Sequence, residues 1–291
     1  MRERSGRSLS ERYGRSWYKF RRNKLSVVGL GAIVGVVFVA ILAPWLSPYP
    51  DSAGLYVNFV NAGAPPSSVH VLGTDEVGRD VLSRIMFGFR YSLMLMVVVL
   101  SLSVAPGVIM GLIAGYYNGR WHSTMIMRLA DIFVAVPPLL LALSVASVLT
   151  PSAINAMLAV SLAWWPWYTR LVYSSSSSIR NEDFVRAAEL VGASRWHIMF
   201  KEILPNTLGS ILTKVTLDCG WVILIGAALS YVGLGAQSPT PDLGTMIAEG
   251  STYLPAWWWI TLFPALAIVI VILGFNLLGD GINDMFSSGL T

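Results

Sequence analysis

Apolar residues fall in six long blocks separated by polar ground, at about residues 26–46, 92–116, 127–149, 153–173, 209–235 and 256–279. A bilayer hydrocarbon core about 30 Å thick takes roughly 20 residues of helix, so each block reaches or approaches spanning length. The pattern predicts an all-α polytopic membrane protein with six transmembrane helices. Two further patterns lie between the blocks. From Val71 the chain reads VLGTDEVGRDVLSRIMFGFRYSL, where Val81, Leu82, Ile85, Met86 and Phe89 share one helical face. This predicts an amphipathic helix along the outer membrane surface, inside a loop at 47–91. Residues 181–208 form a polar segment with the signals of two helices. Asn181 is placed to cap the first, Glu182 and Asp183 sit where the helix dipole favours acids, and Gly192 suits its stop. Ser194 is placed to cap the second, which Pro205 ends. On the first helix Phe184, Ala187, Ala188 and Val191 line one face, apolar and small at its centre, which admits close approach of another protein surface.

Charge orients this pattern. Nine of the 20 Lys and Arg lie in residues 1 to 24 (Arg2, Arg4, Arg7, Arg12, Arg15, Lys19, Arg21, Arg22 and Lys24), directly before the first block. By the positive-inside rule both termini and the segments 117–126 and 174–208 are expected in the cytoplasm, with 47–91, 150–152 and 236–255 outside. The last two outer segments contain no Lys or Arg, whereas Arg79, Arg84 and Arg90 in the first run against the rule, accompanied by Asp51, Asp75, Glu76 and Asp80. A mean hydropathy of +0.63 and 12% charged residues agree with a membrane protein. The pI of 9.3 is read as topology and anionic-lipid contact, with no nucleic-acid partner. The first block is longer than a signal-peptide core of about 7 to 15 residues and no A-x-A site follows it, so it reads as an uncleaved anchor. Cys219 is the only cysteine, which excludes an intrachain disulfide and suits packing inside the fifth span. The organisation expected is a basic tail (1–25), a first helix (26–46), the outer loop (47–91), a five-helix core (92–280) and a C-terminus (281–291).

Within the blocks, Gly107, Gly111 and Gly115 repeat every four residues and predict a helix-packing stripe. Pro106, Pro137, Pro138, Pro166 and Pro264 each remove a backbone donor inside a span and predict bends. Lys214 and Asp218 lie one turn apart and predict a local ion pair, with Lys214 reaching toward the headgroups, a substrate or proton site being the alternative; Arg128 and Asp131 invite the same reading. The run Ser174 to Ser178 reads as the polar exit of the fourth span. No lysine follows a glycine, so there is no G-x-x-x-x-G-K-[ST] phosphate loop. H-E-x-x-H, G-x-S-x-G and Cys/His metal spacings are absent too, and His70, His122 and His197 are scattered over different segments. No catalytic, cofactor-binding or metal-binding residues are expected.

Residues 186–205, RAAELVGASRWHIMFKEILP, resemble the EAA motif of permease subunits in binding-protein-dependent ABC importers. Ala187, Ala188, Gly192, Leu204 and Pro205 match in register, while Arg186 stands where the family has Glu. LGTDEVGRDVLSR (72–84) with GFRYSL (88–93), LSYVGLGAQSPTPDLGTMIAEG (229–250) and LGDGIND (278–284) resemble one branch, the second, shorter permease type of the dipeptide, oligopeptide and nickel systems. Gly226 stands where a Glu is expected and His122 where an Asp is expected. The resemblance implies a permease subunit in the cytoplasmic membrane that pairs with a second homologous permease. It further implies two cytosolic ATPases carrying ATP and Mg, and an extracytoplasmic solute-binding protein. In the alternating-access cycle so implied, the coupling segment 181–208 moves with the ATPases. Ala187 and Ala188 make the close contact, Glu189 either faces an ATPase Arg or Lys or is an exposed acid facing only water, Gly192 forms the turn, and Leu204 and Pro205 anchor the second helix toward the fifth span. Di- or oligopeptides are the leading substrate, with a sugar or nickel as the alternative. A secondary transporter or channel without ATPases is the rival class; inverted repeats and midplane charges would favour it, and it leaves the coupling segment unexplained.

Overall fold

A computed structural model describes residue 18 and residues 20–286; most of the basic tail and residues 287–291 lie outside the described residues. The helices, in chain order, are α1 (Lys24–Leu46), α2 (Val81–Tyr116), α3 (Trp121–Val134), α4 (Pro138–Val148), α5 (Ala153–Ile179), α6 (Asp183–Leu190), α7 (Arg195–Tyr231), α8 (Leu243–Ser251) and α9 (Trp258–Phe286). Among the described residues β-structure is limited to an isolated bridge between Thr74 and Asp80.

The expected all-α membrane architecture is present, but the six blocks do not map onto six equivalent spans. Four helices, α1, α2, α7 and α9, are long and apolar enough to cross a membrane. The third block is broken: α3 and α4 qualify only as a pair and meet at 85°. Pro137 and Pro138 explain the break, since a residue before proline is pushed out of the α region and proline suits the first position of a new helix. Helix α5 has the length, 27 residues, but it carries Trp, Tyr and a run of Ser. Its Ala156, Ala159, Val160, Ala163, Tyr168, Thr169, Val172 and Ser176 are buried, while Ile154, Leu158 and Leu162 stay exposed; a helix with one face packed on protein need not match the apolarity of one facing lipid all round. The serine run is part of this helix, which ends only at Ile179.

The glycine stripe lies on the α2–α5 contact. A Cβ on Gly107 would stand 2.6 Å from the Trp165 carbonyl oxygen, one on Gly111 2.7 Å from that of Thr169, and one on Gly115 2.6 Å from the Ser176 Cβ. The two backbones therefore touch along three turns. Pro106, Pro166 and Pro264 sit inside helices that continue through them, as does Pro44 of α1.

The amphipathic outer helix is not a separate element. Its sequence forms the first turns of α2, a single 36-residue helix about 54 Å long at 1.5 Å per residue. Val81 and Ile85 are buried against Leu243, Met246, Trp259 and Ile260, so the apolar face finds a partner in α8 and α9 instead of the bilayer surface. Asp80 caps α2, accepting from the Ser83 N–H at 2.8 Å and the Ser83 hydroxyl at 2.7 Å. The loop that follows α1 thus ends at residue 80. At the other terminus α9 runs past residue 279, into the stretch expected as a free C-terminus.

The arginines of this region are buried in a charge cluster. Arg79 pairs with Asp75 at 2.6 Å, with Glu76 at 3.3 Å and with Glu249 of α8 at 3.9 Å; Arg84 lies 3.5 Å from Asp75. Arg84 is 1% exposed and also donates to the carbonyls of Ser52 and Pro239, both at 3.4 Å. Their charge is met by acids within the protein; Arg90 remains exposed. Burial raises the Glu249 carboxyl above its ordinary range, Glu76 adds to the rise, and Arg84 and Arg79 oppose it. Burial likewise raises Asp242, against hydrogen bonds from Thr245.

Candidate functional site

At the far end of α2 from this cluster, α6 and the start of α7 lie against the bundle. The chain leaves α5 through a turn in which the N–H groups of Asn181 and Glu182 bond the carbonyls of Ser178 and Ile179. Asn181 consequently belongs to the end of α5, donating its amide to the Ser177 carbonyl at 3.0 Å, and does not cap α6. Glu182 occupies the cap position without a side-chain hydrogen bond, and Asp183 opens the helix.

Val185 is fully buried and Ala188 partly buried against a cluster of Leu112, Tyr116, Val172, Ile198, Met199 and Ile203. Phe184, Ala187, Leu190 and Val191 face outward, Leu190 at 89% and Val191 at 85% exposure. The small apolar face expected to contain both alanines is therefore divided: Ala187 is on the open side and Ala188 is turned to the chain's own core. Glu189 is also engaged internally. It accepts a hydrogen bond from the Tyr116 hydroxyl at 3.1 Å and lies 3.8 Å from Arg180, with its side chain 39% exposed. Arg186 is exposed.

Gly192 makes the turn at φ +81°, with open space where a Cβ would stand, so its left-handed backbone alone calls for glycine. The Ala193 N–H returns to the Ala188 carbonyl at 3.0 Å. Ser194 caps the next helix as expected, accepting from the His197 N–H at 3.2 Å. That helix does not stop at Pro205. From Arg195 the chain is helical to Tyr231, passing through a π stretch at Ile198–Ile203. In an α-helix Pro205 would lack an N–H for the carbonyl four residues back and would crowd it. The wider turn, in which the Leu204 N–H reaches Met199, accommodates the ring. Leu204 packs on the same cluster as Ala188. The segment read as a second cytoplasmic helix is thus the first part of a spanning helix.

Further along α7, Lys214 and Asp218 form the expected ion pair at 2.9 Å, with Asp218 3% exposed. The ammonium also lies 5.9 Å and 5.7 Å from the ring centres of Trp167 and Tyr168 on α5. Asp131 pairs with Arg170 of α5 at 3.0 Å and not with Arg128. Cys219 is buried, its thiol 3.2 Å from the Val215 carbonyl. A Cβ on Gly226 would stand 2.7 Å from Leu95, so a Glu here would displace that side chain. His122 packs edge-on to Tyr117. Among the described residues no three His, Cys, Asp or Glu side chains are grouped to hold a metal ion.

Residues 107–291 match the family described as the binding-protein-dependent transport system inner membrane component. Residues 12–66 match the N-terminal TM domain of oligopeptide transport permease C. The chain is 40% identical over 266 residues to a dipeptide transport system permease protein of Alkalihalophilus pseudofirmus, covering 91% of this chain and 86% of the relative. It is 39% identical over 274 residues to a di/tripeptide permease protein of Pseudomonas aeruginosa, at 92% and 89% coverage. It is 43% identical over 274 residues to the dipeptide permease protein of Escherichia coli, at 92% and 90%. Among solved structures, the inward-facing MetNI methionine ABC transporter superposes with a TM-score of 0.57 at 17% identity, covering 68% of this chain and 94% of that one; this likeness concerns the fold. The long spans, the exposed helix α6 and these matches lead to one conclusion: the chain belongs to the family of inner-membrane components of binding-protein-dependent transport systems, as a permease subunit of an ABC importer and not an enzyme.

Proposed function

We propose that this subunit admits di- or oligopeptides to the cytoplasm, with both termini cytoplasmic, and that α6 is its docking element for a cytosolic ATPase. The relatives at about 40% identity are named for dipeptides, di/tripeptides and oligopeptides, which supports peptide over sugar or nickel. The partners are a second homologous permease, two ATPases that hold ATP and Mg, and an extracytoplasmic binding protein.

The observation that carries the docking reading is the orientation of α6. Val185 and Ala188 fasten it to the bundle while Phe184, Ala187, Leu190 and Val191 are left open. An ATPase groove receiving that open side meets Ala187 at close range. Because α7 is continuous from Arg195 into the membrane, a displacement at the Gly192 turn reaches the spanning part of α7 directly. This supplies a lever for alternating access.

Reconstitution of the importer with its own partners provides the test. Ala187→Glu puts an unpaired carboxylate into the contact, at several kcal/mol; a docking loss of about 3 kcal/mol weakens association more than a hundredfold. ATPase co-purification and ATP-driven tripeptide uptake should fall together, with Ala187→Ser mild and expression unchanged. ATPases that stay bound to the Glu variant would show that the open side of α6 is not the docking face. Uptake of nickel or a sugar in place of peptide would replace the substrate assignment and leave the docking face standing.

A further inference from the structure

At the turn from α2 to α3, three arginines converge on two tyrosines. Arg180 lies 4.6 Å from the ring centre of Tyr116 and donates to the Tyr116 carbonyl. Arg120 and Arg195 both lie over Tyr117, at 5.5 Å and 5.8 Å from its ring centre, and Arg195 also donates to the Tyr117 hydroxyl at 3.4 Å. Together with Glu189, Ala193 and Ile198 they line a cavity of about 280 Å³. A second cavity of about 260 Å³ shares Arg180 and Glu189 and adds Arg186.

The charge here does not balance. Glu189 is the one acid lining either cavity, and it is engaged by Tyr116 and Arg180. Arg120 and Arg195 have no carboxylate within ion-pair range among the described residues, yet both are held over the same ring. Two guanidinium groups oriented by one aromatic face, in a cavity whose single acid, Glu189, is already engaged by Arg180 and Tyr116, are stabilised by an anion placed among them. The planar guanidinium fork matches the oxygens of a phosphate, which several arginines can donate to at once. Next to the two arginines in sequence stand Trp121, 76% exposed, and Trp196, 61% exposed. Indoles in the open beside arginines suit the headgroup layer of a membrane.

We propose that the cavity framed by Arg120, Arg180 and Arg195 binds a phosphate oxyanion, supplied by an anionic phospholipid headgroup or by soluble phosphate. The bound anion ties the α2–α3 turn to the first residues of α7 and so holds the base of the coupling segment. This rests on the cavity's own geometry and is independent of which side of α6 meets an ATPase.

The intact importer, delipidated and then exposed to equal phosphatidylglycerol and phosphatidylcholine, is examined by native mass spectrometry. In parallel, inorganic phosphate is titrated into importer held in phosphatidylcholine nanodiscs, with tryptophan fluorescence as the readout. Arg120→Gln with Arg195→Gln removes both exposed cations; Arg120→Lys with Arg195→Lys keeps the charge. If a lipid is the source, the wild type retains phosphatidylglycerol over phosphatidylcholine by at least tenfold, the Gln pair loses most of that preference, and the Lys pair keeps part of it. If the source is soluble, saturable phosphate binding appears in the wild type and vanishes in the Gln pair. Equal phosphatidylglycerol retention by wild type and Gln pair, with no saturable phosphate binding, overturns the proposal. It is overturned also if the wild type binds neither probe and the Gln pair sheds its ATPases, since the arginines would then serve protein carboxylates.

Discussion

A single glycine sets how near two helices can come. Gly111 stands with the Thr169 carbonyl and the Val172 Cβ each 2.7 Å from where its own Cβ would be. Leu here must separate α2 from α5 or bend one of them, and overpacking of that kind costs roughly 1 to 3 kcal/mol or more. Gly111→Leu should lower the melting temperature and yield of the permease pair, measured by fluorescence-detected size-exclusion chromatography after heating, while Val108→Leu stays close to wild type. Equal losses at both positions would remove any special role for the stripe. The stripe was legible because close packing in a membrane demands small residues at helical spacing, and the sequence carries that spacing openly. The orientation of α6 was not. Phe184, Ala187, Ala188 and Val191 satisfy the helical rule as well as the pair Val185 and Ala188, and only the position of Tyr116 and Arg180, more than 60 residues apart in sequence, decides which side of the helix Glu189 faces.

Among the elements, α7 departs most from what periodicity suggests. Pro205 reads as a stop because proline ends helices in water, yet the π stretch Ile198–Ile203 absorbs it and keeps the helix intact. That wide turn fixes the rotation of the coupling end relative to the membrane-embedded part of α7. Removal of one residue, Phe200, narrows it and rotates everything before it by about 100°. ATP-driven transport should be lost in this deletion variant while the permease pair still assembles in the membrane. Normal transport would mean that the rotational setting of the two halves is unimportant. The same limit on legibility applies to α2. Its first turns have the apolar face of a surface helix, and the sequence does not display that α8 and the start of α9, some 160 residues later, cover that face. The break between α3 and α4, by contrast, is carried by two adjacent prolines and needed no distant partner.

On the scale of the molecule, the two ends of the bundle are unlike: one holds the buried acid–arginine cluster, the other the arginine–tyrosine cavities and the open side of α6. Reporter fusions at Ser67 and Ser177 should report outside and inside respectively, and the purified chain alone should show no micromolar ATP binding, because the phosphate loop is absent. An external signal at Ser177 would overturn the coupling reading outright.

The acid–arginine cluster also bears on how the chain enters the membrane. With both termini cytoplasmic, as proposed above, residues 47–80 and the first turn of α2 would be carried across the bilayer with Arg79 and Arg84 aboard, well before residue 249 has been synthesised. Asp75, Glu76 and Asp80 travel with them, three acids for two arginines within ten residues, and the Arg79–Asp75 and Arg79–Glu76 pairs are short-range in sequence. The cargo can thus cross as a nearly neutral packet. Glu249, and the Trp259 indole that donates to the Thr74 carbonyl at 3.1 Å, arrive last and lock it from above, so the final two helices to emerge complete a fastening begun by the first loop.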